Sequence, residues 1–380
     1  MRCLVVGAGI GGVTLALALR RAGFETVVYE RAPAPREVGA GIVLWGNAIA
    51  VLRSLGVAEA VLAAAGPMGE GELRAADGRV LSRQRVALWD RALGETSATL
   101  HRAELLEILL AALPGAPVRF GHECVEVAPG PERVALRFAN GVRDEGDVVI
   151  GADGIHSAVR RSLVDEPPPR YAGYTCWRAV VSVPESLVPE GYLCETWGRG
   201  RRFGWLRLAH GRVYWFATVD APAGGHDASP AAALEELARG FAGWWGPIPA
   251  LIAATEPERL LRNDILDRPP RRGLGRGRVT LLGDAAHPTT PNIGQGACLA
   301  IEDAAALARE LGRGAAEAAL RRYEKLRHAR TAEIVRFSWR LGRVGQWSNP
   351  TLCALRDRAL ALTPMSAIRR RHERYVGFRV

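Results

Sequence analysis

The order strand, glycine turn, helix, strand, closed by an acidic residue, constrains this chain more than any other feature in it. An apolar run, Cys3-Leu4-Val5-Val6, leads into Gly7-Ala8-Gly9-Ile10-Gly11-Gly12. An apolar helical stretch follows through Leu19, and then a second strand-like run, Thr26-Val27-Val28-Tyr29, ends at Glu30. Gly7, Gly9, Gly11 and Gly12 form a turn in which backbone can approach a pyrophosphate, and the start of the helix supplies partial positive charge. Glu30, 18 residues beyond the last glycine, is placed to accept hydrogen bonds from a ribose diol. Arg31 could suggest a ribose phosphate, but the adjacent carboxylate would repel one and favours a free hydroxyl. The βαβ pattern therefore predicts an adenine dinucleotide, and by itself leaves NAD and FAD both open.

With 380 residues, 48% hydrophobic and 24% charged, the chain has the composition of a folded protein and the length of two or three domains, or of one large domain with an insertion. No apolar run approaches the ~18 residues of a membrane span, and Met1 runs within two residues into the first strand, leaving no room for a signal peptide. These features predict no membrane span and a cytoplasmic location. The formal charge of +10 raises the question of nucleic acid. Lys325 is the sole lysine and the arginines run from Arg2 to Arg379, a compositional drift rather than a patch. The clusters Arg268 to Arg278 and Arg369 to Arg374 lack interleaved aromatics for stacking on bases, so no nucleic-acid partner is expected. The six cysteines, Cys3, Cys124, Cys176, Cys194, Cys298 and Cys353, form no CxxC pair and no zinc spacing with histidine, which predicts neither metal nor disulfide.

Further along, a helical pattern covers about Ala103 to Leu113. Short strands are predicted around Val118–Phe120, Val134–Phe138 and Asp147–Ile150, with the Asn140-Gly141 turn between the last two. From about Tyr171 to Asp220 the texture changes to alternating Trp, Tyr, Thr and Val, which predicts an antiparallel sheet. A helical piece near Pro230–Gly243 precedes the strand Val279-Thr280-Leu281-Leu282, a long helix from about Gly296 and an amphipathic helix from Ala315 to about Val344.

Two more motifs follow predicted strands. Gly283-Asp284-Ala285-Ala286-His287-Pro288 continues to Pro291-Asn292-Ile293-Gly294-Gln295-Gly296-Ala297-Cys298 and Ile301-Glu302-Asp303-Ala304. It places a carboxylate, Asp284, where it can bind a polyol, and backbone N–H groups of Gly294 to Gly296 where they can meet an electron-rich ring edge. A nicotinamide dinucleotide needs no such second cradle. The third motif is Gly151-Ala152-Asp153-Gly154-Ile155-His156-Ser157 with Arg160. Together the three resemble the FAD-dependent aromatic monooxygenases of the para-hydroxybenzoate hydroxylase type, over nearly the whole chain from Arg2 to about Leu341. The resemblance implies that Gly7 to Gly12 hold the pyrophosphate, Glu30 the adenosine ribose and Asp284 the ribityl chain, while Asp153 serves both FAD and NAD(P)H. It also implies that Arg102 faces the flavin, that Gly39-Ala40-Gly41-Ile42-Val43 lies along it, and that Cys124 sits near the adenine. His287 and His156 fall inside cofactor motifs and are read as structural.

The middle sheet carries specificity. Arg202 to Leu208, the loop Ala209-His210-Gly211 and Arg212 to Phe216 read as a hairpin. Pairing Leu208 with Arg212 sets Leu206 against Tyr214 and Gly204 against Phe216, with Arg202, Tyr214 and Phe216 on one face, a cation among aromatics that suits a planar anionic or phenolic substrate. Tyr171-Ala172-Gly173-Tyr174, the run Gly198 to Arg202, the run Gly211 to Tyr214 and Gly294-Gln295-Gly296-x-Cys298 are similar to the FAD-dependent urate hydroxylase branch, in which the residues matching Arg202 and Tyr214 contact substrate. Asn292 replaces an aspartate of that branch and Cys176 an asparagine. Both changes alter the hydrogen bonds offered to a purine and point to a substrate less polar than urate.

The expected fold is α/β: a Rossmann-like FAD-binding domain of the GR2 type over 1–70, 98–165 and 265–345, an inserted antiparallel-sheet substrate domain over 71–97 and 166–264, and a C-terminal helical tail over 346–380. The resemblance implies a monooxygenase in which NADH or NADPH, a transient co-substrate, reduces FAD, O₂ adds at the flavin C4a, and the hydroperoxide hydroxylates a small planar aromatic ring. Arg202 and Tyr214 are the expected catalytic residues, with Cys176, Phe216 and Asn292 on the substrate. A flavin dehydrogenase or reductase without oxygen insertion, and a non-catalytic NAD-binding module, are the alternatives; a flavin spectrum and oxygen-18 from O₂ in the product separate the three. The sequence leaves oligomeric state, substrate identity and the choice of nicotinamide donor open.

Overall fold

The computed structural model describes residues 1–35, 40–113, 115 and 118–380. Gly39, the first residue of the expected cofactor loop, lies outside them. The opening pattern folds as its periodicity requires. Arg2–Val6 lies at the centre of a parallel five-stranded sheet, between Val148–Gly151 and Glu25–Tyr29, with Val279–Leu281 and Val118–Arg119 at the edges. The helix Ile10–Arg21 is apolar on almost every face because it is buried on almost every face: Val13, Leu15 and Leu19 are fully covered, each worth roughly 1.5–3 kcal/mol relative to exposure. Its close approach to the first strand depends on glycine. Gly7 has φ +107°, and a Cβ on Gly12 would stand 1.9 Å from the Gly7 carbonyl oxygen.

The second large sheet has seven strands in the order Leu261–Asp267, Arg170–Ser182, Arg212–Asp220, Arg201–Arg207, Tyr192–Trp197, Glu70–Ala75, Val80–Gln84. All neighbours are antiparallel except Tyr192–Trp197 with Glu70–Ala75. The period-two alternation of its strands sorts side chains between two environments. Phe203, Trp205 and Trp215 turn to one face and pack with Phe241 under the helices Pro230–Gly240 and Ile248–Ala253. Trp215 and Phe203 stack at 5.1 Å, and the Trp215 indole donates to Thr255 Oγ1. Arg202, Tyr214 and Phe216 turn to the other face, as the hairpin register requires: Gly204 pairs with Phe216 and Leu206 with Tyr214.

The helix Ala316–Gly345, about 45 Å long at 1.5 Å per residue, ties the two sheets together. Tyr323 donates to the Leu281 carbonyl at the parallel sheet, and Gln346, just beyond the helix, accepts from Arg202 and Thr218 of the other sheet. The helices Pro350–Ala361 and Met365–Val376 complete the chain.

The Asn140-Gly141 turn departs from expectation in its partner. It joins Val134–Phe138 to Arg143–Gly146, while Val148–Gly151 leaves for the parallel sheet. The charged stretch Arg-Asp-Glu-Gly carries no apolar alternation to announce a strand. Asp144 instead holds it in place by bonding Arg2 and the Tyr29 hydroxyl.

Candidate active site

A cleft of about 650 Å³ runs between the two sheets, and it brings together most of the residues singled out in the sequence. At one end it is lined by Gly7, Gly9, Gly11, Glu30 and Arg31. The helix Ile10–Arg21 starts at Gly9 with no side chain capping it, so its first N–H groups are available to an anion. The Glu30 carboxylate accepts from the backbone N–H of Ala8 and of Ala32, both at 2.9 Å, which fixes it at the cleft with lone pairs to spare. Cys124 closes this end, its thiol pushed up to about 11 by burial and the nearby Asp153 carboxylate. Asp153 also lines the cleft, but its oxygens are engaged by Ser157 Oγ at 2.5 Å and by the N–H groups of Ala158 at 2.7 Å and Val159 at 3.3 Å. It caps the short helix Ala158–Leu163 and so shapes the loop; burial raises its pKa. Gly12 does not line the cleft. Its place is the helix–strand contact described above.

Midway stand Val43, Arg102, Asp284, Gly294, Gly296 and Ala297. Asp284 sits in the turn Gly283–Ala285 directly after the strand Val279–Leu281, and its carboxylate has no hydrogen-bond partner among the described residues. The surrounding protein pushes its pKa up, while His287 and Arg102 pull it back. The helix Gly296–Leu311 starts after Gln295, again without a side-chain cap, leaving N–H groups at the cleft. The side chains of Gln295 and Cys298 turn away from the cleft. Gln295 accepts from Asn47 at 3.0 Å, and the Cys298 thiol, pushed up to about 12 by burial, lies 3.8 Å from the carbonyls of Val43 and Gly294.

Behind this turn lies a buried ionic cluster whose pairing no sequence pattern announces. Asp303 is 2.5 Å from His287 Nε2 and accepts from Arg327 Nε at 2.6 Å and from the Gly283 N–H at 3.0 Å. Glu302 binds Arg327, Arg330 and Asn47. His287 is thus held in the support of the Gly283-Asp284 turn. His156 lies exposed at the cleft.

At the far end Cys176, Arg202, Tyr214, Phe216 and Asn292 meet, as the hairpin register predicts for three of them. Arg202 is buried and donates through Nε to Gln346 at 2.7 Å, through Nη1 to Glu195 at 3.1 Å and through Nη2 to Asn292 Oδ1 at 2.8 Å. Five donors less these three leave two N–H groups. Asn292 is saturated by protein: Oδ1 also accepts from Tyr174, and Nδ2 donates to Thr290 and to the Ser338 carbonyl. The structure makes it a bracket for Arg202, with no amide bond left over for a ring. The Tyr214 hydroxyl has no hydrogen-bond partner among the described residues, and burial raises its pKa while Arg178 opposes the rise. Arg178, Glu195, Leu206 and Thr218 line this chamber too and were not foreseen. The alternation starting at Cys176 carries the signal for Arg178, two residues on.

The residues fit a bound FAD. An uncapped helix start with glycines too close for a Cβ suits a pyrophosphate, and Asp284 is an unpartnered carboxylate suited to a polyol. The comparisons agree. The model of the FAD binding domain family matches residues 1–238 and 251–338. The aurachin C monooxygenase/isomerase of Stigmatella aurantiaca is 43% identical over 376 residues, covering 99% of this chain and 97% of that protein. The FAD-dependent urate hydroxylase of Klebsiella pneumoniae subsp. pneumoniae is 36% identical, with 88% of each chain covered. Among solved structures, Klebsiella pneumoniae HpxO complexed with FAD and uric acid superposes with a TM-score of 0.92 at 33% identity, covering 99% of this chain and 96% of that one.

Proposed function

The chain belongs to the FAD binding domain family and is an FAD-dependent monooxygenase, and from that premise we propose that it hydroxylates a planar heteroaromatic ring carrying hydroxyl or oxo oxygen, using NAD(P)H and O₂. One atom of O₂ enters the ring as hydroxyl, the other leaves as water, and NAD(P)H with a proton supplies the two electrons. The observation that carries this reading is the continuity of the cleft, which joins the dinucleotide end at Gly7 and Glu30 to the aromatic chamber at Tyr214 and Phe216.

When bound, FAD supplies the redox chemistry, accepting hydride and activating oxygen. The protein's part is binding, orientation and exclusion of water. The uncapped starts of the helices Ile10–Arg21 and Gly296–Leu311 and the carboxylates of Glu30 and Asp284 would hold the cofactor, and Arg102 would face it. Phe216 and Leu206 offer an apolar floor to a ring, the free Tyr214 hydroxyl can donate to a ring oxygen, and the two spare N–H groups of Arg202 can meet a carbonyl oxygen. Urate and uric acid appear in the names of the relative and the solved structure, which supports a bicyclic ring; Cys176 and the saturated Asn292 favour one less polar than urate.

The test is NAD(P)H oxidation by the FAD-loaded protein with purines, hydroxybenzoates and quinolones in turn, with ¹⁸O₂ present. Ring-dependent oxidation with ¹⁸O in a hydroxylated bicyclic product is expected. Stimulation by single rings alone, or by none, would overturn the substrate class.

A further inference from the structure

Two arginines face the aromatic chamber, and among the described residues only Arg202 has a counter-ion. Arg202 is paired with Glu195 at 3.1 Å and held by Gln346 and Asn292. Arg178 donates to the neutral amide oxygen of Asn263 at 3.2 Å, has the Cys176 thiol beside it, and forms no ion pair with any carboxylate among the described residues. The sheet register fixes its place. Arg178 stands opposite Phe216, two residues along its strand from Cys176 and two before Val180, which stands opposite Tyr214. Its charge is felt at the Tyr214 hydroxyl and at the Cys176 thiol, where it opposes the upward push of burial. Burial pushes both groups toward their neutral forms, and neither is a carboxylate. Across the chamber Glu195 is occupied by Arg202, and toward the middle of the cleft Asp284 already faces Arg102. A half-buried guanidinium without an anion is costly, and the open side of Arg178 is the cleft.

We propose that Arg178 binds an oxyanion carried on the substrate ring, a phenolate or carboxylate oxygen, beside the Tyr214 hydroxyl, while Arg202 serves a neutral part of the ring. This rests on the reading of the chamber as the ring site. An ionised ring oxygen pushes electron density into the carbon that is to be hydroxylated, so a cation that selects that form selects the reactive one.

The experiment is a titration of the FAD-loaded protein, followed by flavin absorbance, with two matched pairs of ligands: quinoline-4-carboxylate against its carboxamide, and 4-nitrophenolate against 4-nitroanisole. Wild-type protein is expected to prefer the anion of at least one pair by roughly ten- to a hundredfold, as a charged hydrogen bond allows, and the pair that shows it identifies the oxyanion. Arg178→Gln should bring the preference close to one and Arg178→Lys should keep most of it. Arg202→Gln should weaken both members of a pair equally. A preference that survives Arg178→Gln, or that vanishes in Arg202→Gln, overturns the proposal. Ring ligands that bind wild type without any anion preference overturn it while leaving the chamber assignment intact. No spectral change with any ligand sinks the chamber assignment and the proposal with it. FAD stoichiometry and melting temperature establish that each variant is folded; if Arg178→Gln is not, Arg178→Leu is read in its place.

Discussion

Asp284 is the residue whose place in the cleft was most legible, because a carboxylate at a strand end followed by a glycine-flanked helix start has few purposes. The structure adds that its carboxylate has no hydrogen-bond partner among the described residues. Asp284→Ala is therefore expected to weaken FAD retention by the worth of a charged hydrogen bond, about 1.5–3 kcal/mol, or roughly ten- to a hundredfold in Kd. Flavin occupancy after extensive dialysis measures it, and unchanged occupancy would refute it. Arg202 was legible as a chamber residue but not in its surroundings. Sequence spacing put it beside Tyr214; it could not reveal that Gln346 and Asn292, 144 and 90 residues away in the chain, hold it. Arg202→Gln should leave FAD bound and lower kcat/KM for a ring substrate by at least about tenfold, since each 1.36 kcal/mol is a factor of ten and a charged partner in a partly desolvated site is worth more than that. The melting temperature should fall as well, because Glu195 loses its cation. Wild-type kinetics in this variant would make Arg202 purely structural.

At the scale of the element, the hairpin was readable because one buried face fixes its register, and a slip of one residue would have moved Arg202, Tyr214 and Phe216 into the packed side with Trp215. The strand Arg143–Gly146 was not readable, because its pairing is secured by charge rather than by apolar alternation. The same register yields a prediction about chamber depth. Gly204 lies opposite Phe216, and a Cβ there would stand 2.3 Å from the Phe216 ring. The absent side chain is what lets that ring lie against the neighbouring strand. Gly204→Ala should drive the ring toward the cleft at a cost of about 1–3 kcal/mol and narrow the chamber, leaving FAD binding unaltered. The ratio of kcat/KM for a bicyclic over a monocyclic ring should drop by roughly tenfold or more. Gly204→Ala combined with Phe216→Ala should restore it. An unchanged ratio in the single variant would show that Phe216 yields elsewhere.

Across the whole molecule, the cofactor end and the chamber are held in register by groups that no local pattern announces. The long helix Ala316–Gly345 brings Arg327 against Asp303 and Glu302, and Asp303 in turn holds both His287 and the N–H of Gly283, beside the Asp284 turn. Arg330 continues from Glu302 to the carbonyls of Arg374 and Tyr375 near the C-terminus, so the cluster joins three distant stretches of chain. Burial alone would raise the Asp303 pKa, but His287 and Arg327 outweigh it and hold the carboxyl well below its usual range. A carboxyl depressed in the folded state stabilises that state fully above its unfolded pKa of about 4, and the contribution drains away as pH falls below that value. Wild-type stability should thus decline on acidification from about pH 4 to 5 downward, and flavin release should track it, because the same carboxylate orders the Gly283-Asp284 turn. Asp303→Asn removes the titrating group. It should cost on the order of 3–5 kcal/mol at neutral pH by leaving Arg327 short of a buried anion, yet show a shallower loss of stability on acidification. Urea unfolding at a series of pH values, read by flavin fluorescence and by circular dichroism, gives both slopes. Parallel slopes for wild type and variant would mean that the acid sensitivity arises elsewhere and that this cluster does not couple the cofactor turn to the rest of the fold.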